Sequence, residues 1–203
     1  ALHAVAEYVL GAALLGHRHR IGLRPVTGGF ATQEFPWPSG EARGLRRLAV
    51  VGTDLVVRDD DLAGGAHEER TPLTSVRSAA VLAGIDAGMP DAVYHPGTPL
   101  DLDAPLALAP DVATFLAEVL AVGHAALIAF AAAHAHRHPD EIQLWPEHFD
   151  LATSFDEVNY GVSLGDEGHP WPYAYVGPWS PPAPDDGSWN EPFGASLVLT
   201  GRT

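Results

Sequence analysis

The sequence predicts an α+β domain: a mainly antiparallel sheet of about eight strands with two or three helices on one face, one of them long and Ala-rich. Three observations carry this. Short alternating apolar segments joined by glycine-containing turns fill the first third, and apolar residues at helical spacing fill the middle. In the last third aromatic and β-branched residues replace alanine, and no regular β-α-β alternation runs through the chain.

Residues 1 to 15 are apolar, carry Glu7 and lack a basic start, which favours a core helix over a signal peptide. Arg20-Ile-Gly-Leu-Arg24 and Gly29-Phe-Ala-Thr-Gln-Glu34 alternate around a turn-rich link, the pattern of a hairpin. Pro36-Trp-Pro-Ser-Gly40 reads as a loop, and Leu48-Ala-Val-Val51 with Leu55-Val-Val57 as a second hairpin around Gly52-Thr-Asp54. A Thr or Ser cap within residues 71 to 75 opens a short helix carrying Val76, Ala79, Ala80 and Ala83, which stops at Gly84 or Gly88. Residues 89 to 108, rich in Pro, Asp and Gly, form an extended connection.

The long helix opens at Pro110-Asp111, where the dipole favours the acid, and runs to about residue 137 before Pro139. It contains Thr114, Glu118 and His124 and is mostly alanine, so a buried helix is expected rather than a membrane span. Residues 142–154, 157–164, 172–179 and 195–200 read as strands, with a loop at 181–187.

A chain of 203 residues fits one domain, residues 1 to 203, and 46% hydrophobic with 18% charged residues is a globular composition. All eleven basic residues are Arg, and with the abundant alanine this resembles the usage of a GC-rich genome. The net charge of -15 argues against nucleic acid or an anionic membrane as a partner, since both reward basic patches. The absence of Cys excludes disulfides, thiolate metal sites and cysteine nucleophiles. Gly28-Gly29 and Gly64-Gly65 lack the strand-glycine-helix context of a phosphate loop, and no Gly-Xaa-Ser-Xaa-Gly occurs, so no cofactor motif is evident. A cytoplasmic location is expected.

The chemistry concentrates near residues 148 to 179. A two-residue turn at Phe155-Asp156 pairs 154 with 157, 152 with 159, 150 with 161 and 148 with 163. One face then holds Phe149, Leu151, Val158, Tyr160, Val162 and Leu164; the other holds His148, Asp150, Asn159, Gly161 and Ser163. Glu157 lies too far along the ladder to join them. Gly161 marks a gap above which a ligand can approach the backbone. Tyr173, Tyr175 and Trp179 of the following strand join this face if Ala174 and Val176 complete the apolar one, and His169 reaches the rim.

This defines the candidate site: His148 as general base or metal ligand, Asp150 as its orienting or coordinating partner, and Asn159, Gly161, Tyr173, Tyr175 and Trp179 as ligand-binding residues. A divalent metal is an option if a third protein ligand arrives. The kit suits hydrolysis or isomerisation of a small molecule better than redox chemistry. The other reading is a non-catalytic interaction or homo-oligomeric protein, with the aromatic surface and the Ala-rich helix as contact faces.

Among the other histidines, His134 and His138 share a helix face and either chelate one ion or cap the helix end. His124 reads as a core or interface residue, His17 and His19 mark the end of the first helix, and His67 and His95 fall in loops.

Leu144-Trp-Pro-Glu-His-Phe-Asp-Leu151, Asp156-Glu-Val-Asn-Tyr-Gly-Val-Ser163 and Tyr173-Ala-Tyr-Val-Gly-Pro-Trp179 resemble a family of actinobacterial proteins without an assigned activity, most specifically over residues 144 to 194. The resemblance agrees with the GC-rich usage and implies no reaction.

Overall fold

The computed structural model describes residues 1–39, 42–61, 64–90, 92–94, 99–182 and 187–199. Its contacts divide the chain into two compact units, Ala1–Ala117 and Glu118–Thr203. Each unit has its own antiparallel sheet, so the α+β class holds, but among the described residues there are eleven strands in two sheets instead of about eight in one.

The first unit opens with one continuous helix: α1 (Leu2–Val5), a π-helical stretch (Ala6–Gly11) and α2 (Ala12–Arg18), ended by His19 at φ 54. Its sheet comprises β1 (Arg24–Val26), β2 (Gly29–Ala31), β3 (Phe35–Ser39), β4 (Ala42–Val51), β5 (Asp54–Asp61) and β6 (Ala66–Pro72). The order is β1-β2-β4-β5-β6, with β3 also paired to β4. Both expected hairpins form, the second turning at Gly52 with φ 62. The segment read as a loop at residues 36 to 40 is instead largely β3, which tolerates its prolines because it pairs only with β4. His67 lies in β6 rather than a loop, and His95 falls outside the described residues.

Helix α3 (Val76–Ala83) shows which cap the sequence uses. Ser75 Oγ accepts from the Ser78 amide, Ser78 Oγ accepts from the Ser75 amide, both at 3.1 Å, and Gly84 ends the helix at φ 69. Arg46 fastens the end of this helix to the sheet. Its guanidinium donates to both Asp59 carboxylate oxygens at 2.6 Å and to Ala83 O at 2.8 Å while stacking on Trp37 at 3.7 Å.

The unit boundary falls inside α4 (Pro110–Ala133). A 3₁₀ turn, Ala135–Arg137, follows, and His138 at φ 55 closes it just before Pro139. His134 Nδ1–H donates to Phe130 O at 2.8 Å, which is the capping role weighed against chelation. The helix is less buried than expected: only 22% of its most apolar window is covered, and by length and composition alone it is long enough to cross a membrane. One stripe packs on the second sheet, with Gly123 against Val162 and Phe130 against Phe155 and Tyr160 at 5.8 and 4.9 Å between ring centres. The remaining surface is partly alanine, but it also exposes the large apolar side chains of Val112, Phe115, Val122 and Ile128.

The second sheet has the order β11-β10-β9-β8-β7, formed by β7 (Gln143–Trp145), β8 (Asp150–Phe155), β9 (Val158–Ser163), β10 (Tyr173–Pro178) and β11 (Ala195–Val198). The segment expected as one strand over 142–154 is a hairpin. Pro146 to Phe149 form a turn in which the Phe149 amide donates to Trp145 O at 2.7 Å, with Phe149 at φ 54. The next turn is also displaced: Asp156 and Glu157, at φ 50 and 63, are its two central residues, and Phe155 pairs with Val158. Positive φ at both positions marks a type I′ turn, whose twist matches that of the flanking strands. Asp150 consequently faces Ser163, and Gly161 faces Ala152. Moving the two-residue turn by one position shifts each partner by two, so the side chains of β8 and β9 keep their predicted faces, while His148, Phe149 and Glu157 lie in turns.

Candidate functional site

Strand β8 is the source of the site's most unusual group. Asp150 is its first residue, paired with Trp145 on one side and Ser163 on the other, and alternation turns its side chain away from the helix-covered face. The residue is only 5% exposed. Tyr175 Oη donates to Asp150 Oδ2, whereas Oδ1 is buried without a hydrogen-bond partner. Burial pushes this carboxyl above the ordinary Asp range, against the opposing pull of the Tyr175 hydrogen bond and nearby His148.

Gly161 explains how Tyr175 reaches that position. The two residues are cross-strand partners, and a methyl group at Gly161 would overlap the phenol ring. The gap expected to admit a ligand is thus filled by Tyr175, and Gly161 positions the phenol instead of lining the cavity. Burial and the adjacent Asp150 raise the Tyr175 phenol far above its usual range; burial and Asp166 push Tyr173 up to about 12.

Above this floor lies a cleft of about 520 Å³. The structure brings together on it His148, Asp150, Asn159, Tyr173, Tyr175 and Trp179, six of the seven sequence-selected residues. Asn159 Oδ1 accepts from Ser154 Oγ at 2.7 Å and from Trp179 Nε1 at 3.1 Å, which holds the exposed indole over the outer end. His148 occupies the 146–149 turn rather than a strand, and its side chain is 71% exposed at the mouth. Its Nε2 lies 3.7 Å from Glu147 Oε1. Asp150, not His148, forms the base of the cleft.

Asp166 and Phe193 escaped the sequence reading, whereas His169 was expected at the rim. Asp166 accepts from Tyr173 Oη at 2.7 Å and from the amides of Gly168 and His169, each at 2.8 Å. Burial raises its carboxyl, but these hydrogen bonds outweigh that and leave it below the ordinary range. Asp-Glu-Gly-His, a turn signature with an acid two residues before a glycine, was the available clue. Phe193 closes the far wall, its ring 6.3 Å from Tyr175 and 6.4 Å from Tyr173, and no local pattern announces it. His169 stacks on Tyr173 at 4.7 Å, and its Nε2–H donates to Glu191 Oε1 at 2.9 Å. The Glu191 bond is the main cause that raises the His169 pKa; Ser196 and His169 in turn lower that of Glu191.

Among the described residues no group of three or more His, Asp or Glu is arranged to hold a metal ion, so the divalent-ion option gains no third ligand. Comparison with family models, curated proteins and solved structures finds no match. The reading of this site rests on its own chemistry.

Proposed function

We propose that the second unit binds a small organic molecule in the cleft floored by Asp150 and Tyr175. One observation carries this reading: Asp150 lines an open cleft of about 520 Å³ while its Oδ1 is buried without a hydrogen-bond partner. A buried polar atom left unpaired costs about 1–3 kcal/mol, a penalty that a ligand donor removes. The volume lies within the usual span of small-molecule sites, about 300–1,000 Å³. Concavity also favours a ligand site over a flat contact patch, the reading in which the aromatics serve an interface.

If the site is catalytic, Asp150 is the group suited to proton transfer. Its burial favours the protonated form, and Tyr175 fixes the orientation of the carboxyl. His148 stands at the entrance as a second titratable group. Such a kit serves hydrolysis or isomerisation, in keeping with the cytoplasmic small-molecule role expected from the sequence.

The test is thermal-shift screening of metabolites and divalent metals on the wild-type protein, Asp150→Asn and His148→Ala. Ligands that stabilise the wild type and lose at least half of that shift in Asp150→Asn support the reading. A screen whose ligands act equally on the wild type and Asp150→Asn, or that finds none, rejects it and favours the interaction role.

A further inference from the structure

We infer that the ligand of this cleft is an organic ammonium ion whose charged head sits at Asp150 and whose apolar body lies among the rings of Tyr173, Tyr175, Trp179 and Phe193. This deepens the binding reading above and rests on it.

The inference comes from an inventory of donors and acceptors. Three donors that line the floor and walls are committed within the protein: Tyr175 Oη to Asp150, Tyr173 Oη to Asp166, and Trp179 Nε1 to Asn159. The Asn159 amide, whose Oδ1 takes the indole and Ser154 bonds, lies toward the outer end. Ser163 Oγ accepts from the Gly165 amide at 3.1 Å. The carboxyl of Asp150, a lining residue, keeps one buried oxygen, Oδ1, without a donor, and it is an acceptor whenever the carboxyl is ionised. A ligand that satisfies it brings N–H or O–H groups.

Charge selects between those two. Among the described residues no Arg lines the cleft, whereas Asp150 and Asp166 both do; His148 is at the solvent-exposed mouth, and His169, stacked on Tyr173, is already paired with Glu191 and Asp166. A carboxylate or phosphate entering the cleft would meet two acids with no buried counter-charge. An ammonium group gains a charge-assisted hydrogen bond to Asp150. Aromatic faces complete the preference, because their negative quadrupoles attract a cation and cover its apolar substituent. A wall of Tyr, Trp and Phe around a buried acid therefore recognises an amine better than an alcohol of equal shape.

The experiment uses three probes of one shape, 2-phenylethylammonium, 2-phenylethanol and phenylacetate, titrated into the full chain while amide and indole resonances of the cleft are followed by NMR. The ammonium ion is expected to bind at least tenfold more tightly than the alcohol, with phenylacetate weakest, and Asp150→Asn is expected to reduce the ammonium preference to within about twofold. Tyr175→Phe supplies a second variant that keeps the carboxylate, and it is expected to retain the ammonium preference. Equal or tighter cleft binding of the alcohol or of phenylacetate overturns the ammonium assignment and leaves the binding site standing. If none of the three perturbs the cleft while the metabolite screen yields Asp150-dependent ligands, the ammonium assignment also fails alone. If neither approach yields a cleft ligand, both readings fall.

Discussion

Asp150 shows how one residue can report a function through its cost. Its raised pKa means that it contributes stability fully below 3.8, the ordinary Asp value, and loses that contribution as pH rises through the higher folded value. At neutral pH the native state therefore carries a burden that an uncharged side chain does not. Asp150→Asn keeps an acceptor for Tyr175 and removes the ionisable group. We expect its unfolding midpoint at pH 7 to lie about 2–4 °C above wild type, corresponding to about 1 kcal/mol, while ligand binding is lost. A midpoint below wild type in differential scanning calorimetry would show that the carboxylate serves the fold. Gly161 makes the complementary point, since it matters to the site without touching the cavity.

At the scale of elements, the loop after β9 and the approach to β11 are joined by His169 and Glu191. His169 has a raised pKa, so its contribution is complete below 6.5 and fades as pH rises through the folded value. Glu191 has a lowered pKa, so its contribution is present above 4.5 and fades as pH falls through the folded value. The clip is thus strongest between these limits. Hydrogen exchange of the amides in residues 165–171 is expected to show greatest protection near pH 5 to 6, after correction for intrinsic rates, and His169→Gln is expected to flatten that dependence; an unchanged profile in the variant refutes the clip. The elements also show what the sequence could and could not disclose. Alternation grouped the side chains of β8 and β9 by face even though the turn was misplaced, because the error moved partners by two and left parity intact. The cap and stop of α3 were legible as a choice, a Thr or Ser within residues 71 to 75 and Gly84 or Gly88, because each has a local physical cause, and the structure selects Ser75 and Gly84. The prolines of β3 and the charged, exposed β6 concealed strands whose existence depends on a neighbour in space. Asp166 and Phe193 reach the cleft from outside the strands, where no periodicity points to them.

For the molecule as a whole, 26 acids against eleven Arg make electrostatics a global variable. Raising ionic strength from 0.01 to 0.15 M shortens the screening length from about 30 to about 8 Å, which relieves repulsion among the exposed acids. The partly buried Arg46–Asp59 pair is shielded less by salt. We expect the apparent melting midpoint to rise over this range, and a fall would assign more of the stability to exposed ion pairs than to relief of like-charge repulsion. The type I′ turn at Asp156 and Glu157 has a further consequence for how the gene can vary. Removing one residue there, with pairing retained, would turn the cleft side of one strand toward the helix, whereas removing or adding two would slide the strands and keep the sides apart. Length changes tolerated at this hairpin should therefore come in even numbers.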